Sequence, residues 1–122
     1  MRNAGAAREI TIVPNPRRVR VIYAGRVIAD STHALTLYEA GLRPVQYIPR
    51  EDADLSLLRR TRHATHCPHK GDAAYFSIEV AGKTSVDAVW TYEQPYPGVA
   101  AIAGYLAFYP QRVDAIEESD NA

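Results

Sequence analysis

A single cysteine, a single methionine and a single tryptophan stand in 122 residues, and the charges cancel, 14 Lys and Arg against 14 Asp and Glu. Each scarcity excludes something. One cysteine cannot form an internal disulfide, so the fold does not depend on an oxidising compartment. A balanced charge supplies no field to recruit nucleic acid or an anionic membrane, and neither is expected as a partner. Arginines cluster at Arg17, Arg18 and Arg20 and again at Arg59, Arg60 and Arg62, without interleaved aromatics, and read as solvated faces. No apolar run approaches the roughly 20 residues that span a bilayer. The start, MRNAGAAREITIVPNPRR, lacks the apolar core of a secretory signal, and the expected compartment is the cytoplasm. There is no internal repeat, no low-complexity tract, no Walker pattern and no GxGxxG.

What is present is ordinary globular material, 47% hydrophobic and 23% charged, with 8 Tyr and 8 Pro. That length buries a core without staples. We read residues 1–17 as an N-terminal tail in which EITIVPNP could add an edge strand ended by Pro14 and Pro16. Residues 18–118 form one β-rich domain, and residues 119–122 a C-terminal tail.

Period-two patterning dominates that domain. RVRVIYAGRVIADS is a hairpin turning at Ala24-Gly25. In HALTLYEAG the alternation aims Glu39 the same way as Leu35 and Leu37. VQYIP is a short strand stopped by Pro49. AAYFSIEV and SVDAVWTYE flank a second turn, Ala81-Gly82-Lys83, and strict alternation would put Val86, Ala88, Trp90 and Tyr92 on one face. VAAIAG reads as a helical turn, YLAFY and RVDAIEE as strands. REDADLSLLRRT has helix-start chemistry, with Asp52 as N-cap, Leu55 and Leu58 as an apolar stripe, and arginines at the C-terminus. The expected fold is mainly β, a small antiparallel barrel or two-sheet sandwich with one short helix at about residues 52–60.

The chemistry concentrates in RHATHCPHKGDAAYFSIEV. His63, His66, Cys67 and His69 are acceptable metal ligands, but no second Cys-x-x-Cys closes a tetrahedron, and no metal site is assigned. Cys67 could act as a nucleophile beside Lys70, although His66, its strand neighbour, points to the opposite face. Lys70, at the head of a strand, could hold a phosphate or carboxylate or pair with an inward Glu39. Tyr23, Tyr38, Tyr47, Tyr75, Tyr92, Tyr105, Tyr109 and Trp90 could line a ligand cavity or simply pack the core.

These same segments carry a resemblance. RVRVIYAGRVIADS, LTLYEAGLRPVQYIPRED, THCPHKGDAAYFSIEV, DAVWTYEQPYP and AIAGYLAFYPQRVDAIEE run in order along nearly the whole chain. Together they resemble the bacterial family labelled domain of unknown function four-two-seven, also named a nucleotidyltransferase-like domain. The resemblance implies a compact β-rich fold with the family's characteristic polar positions on Glu39, Tyr47, Cys67, Lys70, Tyr75, Trp90 and Tyr92. It implies no function. His69 stands where the family commonly carries an aromatic residue, which speaks against a site built around a metal-binding imidazole. Nor do Asp30, Glu39, Asp72, Glu79 and Asp87 form the Asp-x-Asp that nucleotidyl transfer would lead one to look for.

The expectation is therefore one cleft in which Lys70, Glu39 and Cys67 are the candidate catalytic groups and Tyr47, Tyr75, Trp90 and Tyr92 bind the ligand. Lys70 and Glu39 should lie within salt-bridge reach. Three functions fit: binding or turnover of a small anionic or aromatic ligand, metal-dependent phosphate or nucleotidyl transfer, and a structural or protein-interaction module. No cofactor is predicted. A small-molecule partner is expected, and a homo-oligomer is compatible with the sequence.

Overall fold

A computed structural model describes residues 9–121. The expected N-terminal tail lies, up to residue 8, outside the described residues. The strands are β1 (Ile10–Pro14), β2 (Arg18–Tyr23), β3 (Arg26–Ser31), β4 (Leu35–Glu39), β5 (Val45–Tyr47), β6 (Leu58–Cys67), β7 (Gly71–Val80), β8 (Lys83–Thr91), β9 (Leu106–Phe108) and β10 (Ala115–Ser119). They form three antiparallel sheets in the orders β1-β4-β5, β10-β2-β3 and β6-β7-β8-β9. The chain is mainly β and sandwich-like, and among the described residues no sheet closes into a barrel. Among those residues, too, no helix is long and apolar enough to cross a membrane.

The four-stranded sheet is the middle layer, because period-two alternation gives it two buried faces. From β7, Phe76, Ile78 and Val80 pack with Val19, Val21 and Ile28 of the β10-β2-β3 sheet. Its other face, through Ala73 and Tyr75, joins Leu37 and Tyr47 of the β1-β4-β5 sheet and Val99 and Ile102 of the turn Pro97–Ile102. Ile48 and Leu106 exchange backbone hydrogen bonds in both directions at 2.8 Å, which pins the β5 end to β9. Both hairpins turn on left-handed pairs, Ala24 (φ 50°) with Gly25 (φ 77°) and Ala81 (φ 47°) with Gly82 (φ 83°), the geometry that matches strand twist.

The short helical element expected at about 52–60 takes the form of two separate 3-10 turns, Arg50–Asp52 and Leu55–Leu57, and Leu58 already opens β6. Asp54, not Asp52, is the cap: its carboxylate accepts from the Ser56 N–H at 3.1 Å, while Asp52 accepts from Ser31 Oγ at 2.7 Å. The arginines that looked like a helix C-terminus lie on β6, the edge of its sheet, where charge protects against edge-to-edge pairing. Arg59 pairs there with Glu79.

Strict alternation along β8 also breaks. Phe76 pairs with Val89 but Ile78 with Ser85, so residues 86–88 of β8 bulge opposite Ser77 alone. Val86 is therefore exposed while Ala88 is buried, and the two do not share a face. β6 bulges likewise between Arg60 and Ala64, on the other side of β7. The bulges are tied together across β7, where Thr61 Oγ1 donates to Asp87 Oδ1 at 2.6 Å.

Candidate functional site

The turn between β6 and β7 presents Lys70. Its N–H donates to the Cys67 carbonyl at 3.2 Å, and its own carbonyl accepts from the Tyr96 N–H at 2.9 Å. Gly71 follows at φ +115°, where a side chain would be strained. The backbone of Gln94, Pro95 and Tyr96 runs 3.6–3.7 Å from where a Cβ on Gly71 would sit, an ordinary contact distance. The backbone angle, not lack of space, therefore calls for glycine.

Lys70 is 8% exposed and Glu39 7%, and the Lys70 ammonium donates to Glu39 Oε1 at 2.8 Å. The salt-bridge reach expected from the sequence is met. The alternation of β4 buries Glu39 on the side of Leu37 and leaves Tyr38 at the surface. Lys70 Nζ also lies 3.5 Å from Cys67 Sγ, and Cys67 is half-buried.

Around this pair stand the aromatic residues. Trp90 Nε1 donates to Tyr47 Oη at 3.2 Å, the two rings meeting edge to face. The Tyr75 hydroxyl is 2.9 Å from Thr65 Oγ1 and 3.2 Å from the Tyr109 hydroxyl, and the Trp90 and Tyr109 rings are 4.4 Å apart. Burial pushes the Tyr47 phenol up to about 12, against the Trp90 hydrogen bond, with smaller upward contributions from Glu39, Cys67 and Tyr75. Burial is also the main cause that raises Tyr92, followed by Tyr47, Cys67, Tyr75 and Tyr109. Tyr109 is raised by burial and then by its bond to Tyr75. These phenols therefore stay neutral at physiological pH and can both donate and accept.

Glu39, Tyr47, Cys67, Lys70, Tyr75, Trp90 and Tyr92 thus come to one side of the four-stranded sheet. Tyr47, Tyr75 and Tyr92 are buried there, while Cys67 and Trp90 are half-buried. Thr65 and Tyr109 complete the set; the sequence offered Tyr109 only as one of several aromatic residues able to line a cavity and did not single out Thr65. No local signal marks them, since the Tyr75–Tyr109 contact joins residues 34 apart.

The histidines diverge. His63 lies against the Tyr75 ring at 4.4 Å, while the exposed His66 meets Asp72 Oδ1 through Nδ1 at 2.7 Å. Among the described residues no three His, Cys, Asp or Glu side chains gather as a metal site. The carboxylates are dispersed too: Asp30 pairs with Arg18, Glu79 with Arg59, and Asp87 accepts from Thr61. A cavity of about 560 Å³ opens elsewhere, over Val21, Ile48, Phe108 and Ile116. Its rim carboxylates are engaged, Asp114 by the Ala24 N–H at 2.7 Å and Glu118 by Asn15 Nδ2 at 3.1 Å.

The model of the family described as a domain of unknown function, DUF427, matches residues 11–119, and the chain belongs to that family. No curated protein matches the chain.

Proposed function

For a member of a family whose description carries no activity, we propose a small-molecule-binding role centred on Lys70, for an anionic or aromatic ligand. One observation carries this reading: a buried Lys70–Glu39 ion pair beside a half-buried thiol, inside a shell of neutral phenols. A buried ion pair is weak as a source of stability, because apolar residues of similar volume commonly do as well. We infer that charges kept in such a place serve a ligand, as the few convergent polar groups of an otherwise apolar pocket do.

The chemistry is simple. An ammonium has three N–H donors. Glu39 and Cys67 engage two of those of Lys70, and a third can meet an anionic group. Tyr47, Tyr75, Trp90 and Tyr92 supply flat apolar surface with polar tips. Cys67 is the group through which a bound ligand would be felt from solvent.

Native mass spectrometry of the freshly purified protein, set against its denatured mass, tests this first. The expected result is an organic adduct that is absent from Lys70→Met, with circular dichroism confirming that the variant is folded. A weakly held ligand is tested by the rate of Cys67 alkylation in the presence of a panel of carboxylates and aromatic acids. No adduct, together with a rate that no member of the panel changes, overturns the proposal.

A further inference from the structure

Where the two bulges meet, a cavity of about 430 Å³ is lined by His63, Tyr75, Asp87, Tyr109, Gln111 and Arg112. That volume lies within the range of small-molecule sites, about 300–1,000 Å³. The cavity shares Tyr75 and Tyr109 with the site described above, but its charged and polar groups, His63, Asp87, Gln111 and Arg112, are different ones, so either can fail alone.

Three features of its walls leave groups open to a ligand, on the exposed His63 and Arg112 and the half-buried Asp87. Asp87 is a non-glycine residue at φ 51° inside a strand, a conformation that L residues adopt at a cost and that gathers at functional sites. Thr61 holds its Oδ1 at 2.6 Å and Ser77 Oγ accepts its N–H at 3.0 Å, while Oδ2 has no hydrogen-bond partner among the described residues. Arg112 is anchored by its backbone, whose carbonyl accepts from Ser85 Oγ at 2.6 Å. Its guanidinium has no ion pair or side-chain hydrogen bond among the described residues. His63 lays its ring on Tyr75 at 4.4 Å, and its ring nitrogens have no hydrogen-bond partner among the described residues.

We propose that this cavity binds a flat, single-ring carboxylate that carries a hydrogen-bond donor at its far end, the chemistry of a hydroxy- or amino-substituted aromatic acid. Arg112 offers a planar fork that matches a carboxylate. His63, Tyr75 and Tyr109 offer ring faces and edges for an aromatic body. Asp87 Oδ2 accepts from the hydroxyl or amino group. A carboxylate on the wall also disfavours a phosphate dianion, which Arg112 alone would attract.

Protein-observed heteronuclear NMR titration with benzoate, para-hydroxybenzoate and inorganic phosphate tests the assignment. Saturable shifts are expected at the amides around His63, Asp87 and Arg112, with para-hydroxybenzoate binding about tenfold tighter than benzoate. Arg112→Gln should weaken both acids by about tenfold or more. Asp87→Asn keeps a residue that tolerates a left-handed backbone and should erase the difference between the two acids. Shifts that do not saturate, affinities indifferent to Arg112→Gln, or phosphate binding tighter than either acid would each overturn the proposal. Shifts confined to Cys67 and Lys70 would remove this cavity and leave the Lys70 site standing.

Discussion

Tyr47 shows at the scale of one residue how burial becomes a property that can be measured. It is 1% exposed, and its phenol is raised from 10.0 to about 12. A group whose folded value lies above its unfolded one contributes stability that is complete below the unfolded value and is lost as pH rises through the folded one. The window here runs from about pH 10 to about pH 12. Tyr47→Phe should cost about 1 kcal/mol at neutral pH, because the Trp90 indole N–H loses its acceptor. It should also make the loss of stability less steep across the alkaline window. Denaturant midpoints measured along an alkaline pH series check both, and an unchanged alkaline limb would count against burial as the cause. The neighbouring Lys70–Glu39 pair was legible in the sequence: the alternation of LTLYE aims Glu39 inward, and Lys70 at the head of a strand was the cation placed to meet it.

At the scale of elements, local chemistry decided the hairpins and non-local chemistry decided the bulges. Ala24-Gly25 and Ala81-Gly82 mark their turns in the sequence, and both turns form there. Alanine is a poor occupant of a left-handed position, whereas Asn accepts it. Ala81→Asn should therefore stabilise the protein by about 0.5–1 kcal/mol, seen as a raised Tm, since Ala81 is exposed. A lowered Tm would show that the turn is not limited by backbone strain. The segment after Asp52 went the other way. Its apolar spacing suits a helix, yet Leu58 pairs with Ile78 and the segment is drawn into β6. Partner strands override propensity where the ladder satisfies the backbone hydrogen bonds.

At the scale of the molecule, ion pairs tie distant segments. Glu93 follows β8 and accepts from both terminal nitrogens of Arg60 on β6, each at 3.1 Å, and from Arg50 at 3.4 Å. The Arg60 hydrogen bond is the main cause that holds the Glu93 carboxyl below its ordinary 4.5. A depressed carboxyl contributes stability that is present above its unfolded value and is lost as pH falls through the folded one. Glu93→Gln should be less stable than wild type at neutral pH, and the gap should close as pH falls from about 4.5 through the lowered value. Both partners are more than one third exposed, so salt should shrink the difference. Urea midpoints at neutral and acid pH, with and without added salt, check this; a gap that persists in acid would exclude the ion pair as its source.

The sequence by itself determined the mainly β class, the hairpin turns and the inward aim of Glu39. All of these follow from turn chemistry and the pleat, whose alternation is a property of adjacent residues. Tertiary structure alone decided the bulges opposite β7, the exposure of Val86 and the joining of Tyr75 to Tyr109. Those depend on which strands pair and in what register, and register is set by contacts between residues far apart in the chain.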